Sequence, residues 1–476
     1  MKNFKTLLLA CFTLLAMTSC YDDMDDNIIP ATTLELNDFV WKAMNYVYLY
    51  KSEIPNLADD RFISIDEYET YINSYASPEE LFESLLYLPN EIDRFSGIYS
   101  NYYDLQNALS GTSLSNGIEF NLYYVPGSSA EIFGVITLVL ADSPAESLNL
   151  QRGDFFRAVN GENLTASNYI NLLSATSYTL NLATYSDNGT PDISDDDTVT
   201  LSGNSASLSK VSYTENPVHK TNVLNVGGIS VGYLMYNGFT SEFDNQLNNA
   251  FAEFNAAGVT ELVIDLRYNG GGSVQTAAYL GSMVTGQFTG QVFSKLFYND
   301  NLSNNDTEYV FTGSINGNSI NSLNLSRVYV LTTNRQTASA SELVINSLSP
   351  YIDVVVIGEN TVGKTQASRT VYDSPTLFSD SEANTGHTYA LQPLVANSTN
   401  INNELVPSTG LIPDIELSES ITNLGVLGDV NEPLLAAALA DITGSGRPAN
   451  LSESFSLELE EIRMPITPLQ QDMHID

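Results

Sequence analysis

The sequence has 476 residues, room for two or three domains of about 100–200 residues each. Hydrophobic residues make up 43% and charged residues 16%, the composition of packed domains and not of a disordered chain. Lys+Arg number 18 against 57 Asp+Glu, a formal net charge of −39, which excludes a basic nucleic-acid surface and basic docking on anionic lipid. Two cysteines exclude a disulfide scaffold and a cysteine-rich metal site. Three histidines (His219, His387, His474) leave little for a His-based zinc site or a Ser-His-Asp triad.

Lys2 and Lys5 precede an apolar run, Thr6 to Ala16, of signal-peptide length. It is shorter than the ~20 apolar residues that span a bilayer. The run ends in L-A-M-T-S-C, which resembles a bacterial lipobox with Met17 and Thr18 as departures. Residues 1–19 are then a signal peptide and Cys20 is the lipidated first residue; a plain secretory signal is the alternative. Cys11 leaves with the signal, so no disulfide is expected. Residues 20–33 form an acidic tether, with Tyr21 to Asn27 (YDDMDDN) resembling the export signals of surface lipoproteins in some Gram-negative bacteria. The expected location is the cell envelope, as an outer-membrane or surface-exposed lipoprotein held through Cys20.

Residues 34–108 read as a helical domain rich in tyrosine. Ser77-Pro78-Glu79-Glu80 is a helix start, with Ser at the N-cap, Pro at N1 and acids in the first turn. The tyrosine stripe reads as core. Residues 113–205 change to short strands and turns, with a strand expected over 136–141. The acidic stretch Asp187 to Asp197 lacks EF-hand spacing and reads as a solvated hairpin loop. Residues 218–444 alternate strands (229–236, 261–266, 327–332, 352–357) with helices (241–257, 340–348), the pattern of a layered α/β core. Residues 445–476 read as a polar, loosely attached tail.

Three segments of the α/β region come just after apolar strands, where reactive loops collect. Asp265 to Gly272 (DLRYNGGG) offers backbone N–H groups, either as an anion site or as a tight turn. Asn334 to Glu342 (NRQTASASE) places Ser339 at a helix start. Ser339-Ala-Ser-Glu342 fits a capping box, and the same position suits a nucleophile that generates an oxyanion. Gly358 to Thr365 (GENTVGKT) matches a P-loop literally, but the stretch after it, Gln366 to Pro375, has a poor helix pattern. Lys364, one of eight lysines, sits in an apolar-led loop where desolvation favours the free amine. With no histidine nearby in sequence, a Ser-Lys pair is the available form of activated serine.

Together these segments resemble the C-terminal-processing (tail-specific) serine peptidases. Asp265, Leu266, Arg267, Asn269, Gly271 and Gly272 fit that family's D-L-R-x-N-x-G-G loop. Thr337 to Glu342 fit its nucleophile segment, with Thr for the first serine. Gly363-Lys364 fits the base loop twenty-five positions later. Gly410-Leu-Ile-Pro413-Asp414 resembles its G-I-x-P-D element. Ser143-Pro-Ala145, Arg152-Gly-Asp154 and Val159-Asn-Gly161 resemble its PDZ domain, and Asp93-Arg-Phe-Ser96 the segment before it.

The resemblance implies a multidomain α/β and α+β chain: a helical N-terminal region, a PDZ-like β-rich domain and a ClpP/crotonase-like peptidase core. It implies Ser339 as nucleophile, Lys364 as general base, and the N–H groups of Gly271 and Ala340 as oxyanion hole. Arg267 and Asn269 organise the glycine loop. A PDZ-like domain would bind substrate C-termini by strand addition. The family has a glutamine four residues after the lysine; Ser368 stands there, so Ser368 or Gln366 is expected to orient Lys364. The function implied is an exported serine endopeptidase acting on proteins or peptides, with no metal and no cofactor. The alternatives are a catalytically impaired peptide-binding lipoprotein of the same fold and, more remotely, a nucleotide-binding protein using residues 358–365, which predicts a helix after Lys364.

Overall fold

The computed structural model describes residues 29–190, 196–445, 459–465 and 467–475. The signal segment, Cys20 and most of the acidic tether lie outside the described residues.

Among the described residues the first four α-helices are α1 (Thr33–Val47), α2 (Ile65–Ile72), α3 (Pro78–Ser84) and α4 (Tyr102–Leu109). As its sequence predicts, α3 starts at Ser77, whose hydroxyl accepts from the Glu80 N–H (3.2 Å), with Pro78 at the first helical position. The aromatic residues are packing, not a binding box: Trp41 meets Tyr68 edge-on at 5.1 Å, and Tyr48 is fully buried.

The β-rich part holds β1 (Ile118–Tyr124), β2 (Ile132–Val139), β3 (Phe155–Val159), α5 (Tyr169–Ser174), β4 (Ser177–Ser186) and β5 (Thr198–Ser209). The strands pair antiparallel in the order β1-β2-β3-β4-β5. β2 starts four residues before the expected 136, because Ile132 and Phe133 already pair with Tyr124 and Tyr123. β4 and β5 flank the acidic stretch, of which residues 191–195 are not described.

The α/β part has a central sheet of β6 (Val218–Val226), β7 (Ile229–Tyr236), β8 (Glu261–Asp265), β12 (Arg327–Thr332), β13 (Asp353–Gly358) and β16 (Ile415–Glu416), in that order. All neighbours are parallel except the β6–β7 hairpin. Its helices are α6 (Asp244–Ala256), α7 (Val274–Thr285), α8 (Ala340–Leu348) and α9 (Pro433–Thr443). Strand alternation sorts the core: Leu234, Ile264 and Val330 share a cluster with α6, α7 and α8, while Tyr233, Val263 and Leu331 pack with α9. A second sheet joins β9 (Gly272–Ser273), β10 (Val292–Tyr298), β11 (Thr307–Val310), β14 (Gln366–Ser368) and β15 (Leu394–Thr399).

The tail departs from the loose attachment expected for 445–476. Residues Glu461–Ile462 form β17, antiparallel to β1, and Met473–His474 form β18, inserted between β9 and β14. Met473 is 1% exposed and Asp472 4%. The few apolar residues that anchor the tail, Ile462, Met464, Met473 and Ile475, are too sparse to stand out in a polar stretch.

Candidate active site

The three loops singled out in sequence leave the carboxyl ends of adjacent parallel strands β8, β12 and β13, so the sheet delivers them to one edge.

The glycine loop is fixed by two side chains. Arg267 is fully buried and pairs with Asp265 (2.8 Å), Glu432 (2.7 Å) and Glu419 (2.9 Å). Asn269 donates to Tyr236 O (2.9 Å), and its backbone oxygen accepts from Ala338 N–H and the Ser341 hydroxyl (both 3.2 Å). The loop is thereby tied to the nucleophile segment. Gly271 has φ 118°, and a Cβ there would lie 2.6 Å from Ser339 Cβ and 2.1 Å from Asp472 O, so only glycine fits.

Ser339 is fully buried at the start of α8, with φ 61° and ψ −113°. A non-glycine residue held at positive φ costs about 1–3 kcal/mol and persists only where its surroundings over-determine it. Here the Ser339 N–H donates to Glu342 Oε2 (2.8 Å), the reverse half of the predicted capping box, while its hydroxyl turns to Gln471 O (3.3 Å).

Lys364 is also fully buried. Its Nζ donates to the same Gln471 oxygen (2.9 Å) and to Asp472 Oδ1 (3.1 Å), and lies 4.7 Å from the centre of the Phe95 ring. Burial lowers its pKa below the ordinary lysine value, opposed by the carboxylates of Asp472, Asp93 and Glu342. Ser339 and Lys364 thus meet on one carbonyl oxygen, and among the described residues no hydrogen bond joins them directly.

The other expected residues sort differently. Ala340 N–H heads α8 beside Ser339, but Gly271 N–H donates to Asn269 Oδ1 (2.8 Å) and is not open to a ligand. Gln366 turns away to the helical domain, donating to the Tyr50 hydroxyl (3.0 Å). Ser368 lies in the cleft: its hydroxyl donates to Asp472 Oδ1 (2.6 Å) and accepts from Gln392 Nε2 (2.9 Å). Strand β14, not a helix, comes after Lys364, and its amine is spent on the tail. That removes the helix the nucleotide-binding alternative requires and corrects it.

Sequence reasoning missed four contributors. Glu342 was visible only as a cap, yet its carboxylate accepts from the N–H groups of Ser339, Gly363 (2.7 Å) and Lys364 (2.9 Å) and from the Thr361 hydroxyl, so it joins nucleophile and base loops. Asp93 to Ser96 was visible as a motif. Its Arg94 donates to Gly363 O (3.1 Å), and Phe95 covers Lys364. Gln392 and Asp472 carried no local signal.

This arrangement, two buried side chains of nucleophile and base type meeting on a peptide carbonyl at the edge of an α/β sheet, is the class of site found in serine peptidases. The family comparisons agree. The description "Peptidase S41 N-terminal domain" matches residues 35–97 and "Peptidase family S41" matches residues 230–417. The chain belongs to peptidase family S41.

Among curated proteins it is similar to the chloroplastic C-terminal processing peptidase of Tetradesmus obliquus, 30% identical over 166 residues, 33% of this chain and 33% of that protein. The chain's match therefore spans a third of that relative. Among solved structures it is similar to a protein assigned to the S41 proteases of Bacteroides fragilis NCTC 9343, with a TM-score of 0.68 and 29% identity over 85% of this chain and 97% of that one. A photosystem II D1 C-terminal processing protease matches with a TM-score of 0.49 and 20% identity, over 87% of this chain and 99% of that one.

Proposed function

We propose that the chain is a serine endopeptidase acting through a Ser339–Lys364 dyad and an acyl-enzyme. The observation that carries this reading is the convergence of Ser339 Oγ and Lys364 Nζ on one peptide carbonyl. The neutral Lys364 amine takes the hydroxyl proton as Ser339 Oγ bonds to the carbonyl carbon of a bound peptide. The tetrahedral intermediate collapses, the C–N bond breaks, and Lys364 returns the proton to the leaving amine. Water then attacks the ester with Lys364 again as base, releasing the acid and restoring Ser339. A buried amine suits this cycle because desolvation favours its neutral form.

Gly271 and Ala340 N–H groups would receive the oxyanion, which requires the Gly271 N–H to exchange its bond to Asn269 for one to substrate. The β-rich domain would hold substrates by strand addition in the manner of a PDZ domain. The signal segment and Cys20 support export and lipid anchoring at the cell envelope, and Cys20→Ala is expected to release the protein from the membrane fraction.

One observation favours a second reading, a peptide-binding protein without turnover: the Gly271 N–H is already taken. The deciding assay is cleavage of an unstructured protein by the full chain beside Ser339→Ala and Lys364→Ala. Lys364→Ala is expected to lose about a hundred- to ten-thousand-fold, the contribution of a general base, and Ser339→Ala, which lacks the nucleophile, at least as much. Equal rates in all three would remove the dyad.

A further inference from the structure

The last described part of the chain occupies two places where a peptide would bind. The first is the groove of the β-rich domain between β1 and α5. There β17 adds antiparallel to β1, pairing Glu461 with Tyr123 and Ile462 with Leu122, and Tyr124 N–H donates to Glu460 O (2.8 Å). Ile462 and Met464 pack into the cluster that holds Leu122, Tyr169 and Leu173. The Tyr169 hydroxyl reaches Arg463 O (3.3 Å), and Arg335 pairs with Glu461 (2.9 Å). This is strand addition with apolar side chains at alternate positions seated against a helix, one recurring mode of peptide capture.

The second place is the cleft. After one turn of helix over Pro468–Gln471, the segment passes the catalytic pair and continues as β18. β18 is parallel to β9 on one side and β14 on the other. Gly272 N–H donates to Asp472 O (2.7 Å), and Ile475 N–H donates to Ser368 O (3.0 Å). The Asp472 carboxylate is held by Lys364 (3.1 Å) and Ser368 (2.6 Å). Gln471 is tied by its side-chain amide to Arg335 O (2.8 Å).

We propose that residues 459–465 and 467–475 are an intramolecular ligand that fills both the strand-addition groove of the β-rich domain and the candidate active site, so that an extended peptide substrate must displace them from both. The inhibitory half of this rests on the peptidase reading above.

Three features make the segment an obstacle and not a substrate. Its Gln471 carbonyl turns the oxygen, not the carbon, toward Ser339 Oγ, and that oxygen also accepts from Lys364. Acyl transfer needs Oγ on the carbon and the oxygen on N–H donors. The Asp472 carboxylate pairs with the very amine that must be neutral to act as base. The loop that would supply the oxyanion donor is spent, with Gly271 N–H on Asn269 and Gly272 N–H on Asp472 O. Because one segment spans both places, a peptide that takes the groove at β1 removes the anchors that hold the segment in the cleft.

The test uses the full chain and two variants. Asp472→Asn removes the charge that pairs with Lys364. Ile462→Asp combined with Met464→Asp loosens the distant anchor and touches nothing in the cleft. Amide hydrogen exchange at residues 473–475 reports occupancy, and labelling of Ser339 by a small fluorophosphonate reports access. Both variants are expected to lose protection at 473–475 and to label severalfold faster than the wild type. Protection absent in the wild type would overturn the occupancy. Labelling equally fast in all three would overturn the inhibition. Lost protection with no labelling in any protein would remove the peptidase reading, and with it the inhibition, while the occupancy stood.

Discussion

Replacing Glu342 by glutamine tests how the site is held together. The carboxylate has four donors: Ser339 and Lys364 N–H on Oε2, Gly363 N–H and the Thr361 hydroxyl on Oε1. Glutamine keeps the shape and one oxygen. Its better orientation leaves that oxygen with Ser339 and Lys364 and points the new NH2 at Gly363 and Thr361. The Thr361 oxygen, which already accepts from Leu411 N–H (2.8 Å), then turns to accept a second bond while its own O–H loses the carboxylate acceptor, and Gly363 N–H is orphaned. One buried unpaired donor costs about 1–3 kcal/mol, and two charge-assisted bonds become neutral ones at about 1 kcal/mol each. Relief of burying a charge, which raises the Glu342 pKa, offsets part of this. The expected loss is about 2 kcal/mol in urea unfolding. The rate of Ser339 labelling is expected to fall more than tenfold, because both reactive residues lose rigidity at their backbones. Wild-type stability together with wild-type labelling would refute the view that Glu342 joins the two loops.

Labelling of Ser339 is expected to rise with pH through an inflection below the ordinary lysine value of 10.5, since burial lowers the Lys364 pKa. Asp472, Asp93 and Glu342 oppose that shift, so Asp472→Asn moves the inflection to lower pH; an inflection unmoved by this change would show that the carboxylate does not act on the amine. Ser368→Ala distinguishes two roles by sign. Its hydroxyl donates to the tail, at Asp472 Oδ1 and Met473 O, and accepts from Gln392, so faster labelling is expected, whereas slower labelling would make it the residue that orients Lys364. Glu432→Gln weakens two bonds to buried Arg267 and the cap of α9 at Leu435 N–H, and is expected to cost about 3 kcal/mol in urea unfolding; a loss below about 1 kcal/mol would mean that Asp265 and Glu419 neutralise Arg267 alone.

Strands β7, β8, β12 and β13 were legible because they are apolar runs, and α6 and α8 because each carries an apolar face; the edge strands β6 and β16 and the helices α7 and α9 did not stand out. Residues 229–236, 327–332 and 340–348 have the bounds their patterns predict. Lys364 stood out because lysine is rare here and this one sits in a loop after such a strand, and Ser339 because small residues surround it at a helix start. The rest depends on contacts between distant parts of the chain. Gln392 and Asp472 lie 24 and 104 positions from Ser368, and neither stands in a motif. Gln366 had the right residue type near the right place, but Tyr50, 316 positions away, claims its amide. The tail misled for a related reason: composition averages over a segment, while strand pairing needs only backbone N–H and C=O groups and a few apolar anchors.

The surroundings of Lys364 come from three other parts of the chain, and this makes its proton affinity a property of the assembled fold. The helical domain contributes the Phe95 ring and Asp93, the α8 helix contributes Glu342, and the tail contributes Asp472. The ring and the burial exclude water, so the amine is worst placed to carry charge when no carboxylate faces it. The tail supplies that carboxylate at 3.1 Å. Its departure would therefore do two things in one movement: clear the carbonyl that covers Ser339, and remove the charge that most favours the protonated form of the amine. By the proposal above, a peptide drawn into the groove beside β1 would compete for the position that Ile462 and Met464 now hold, so binding there and the basicity of Lys364 would share one covalent segment. Occupancy and chemistry are then coupled through chain connectivity, with no change required in the central sheet.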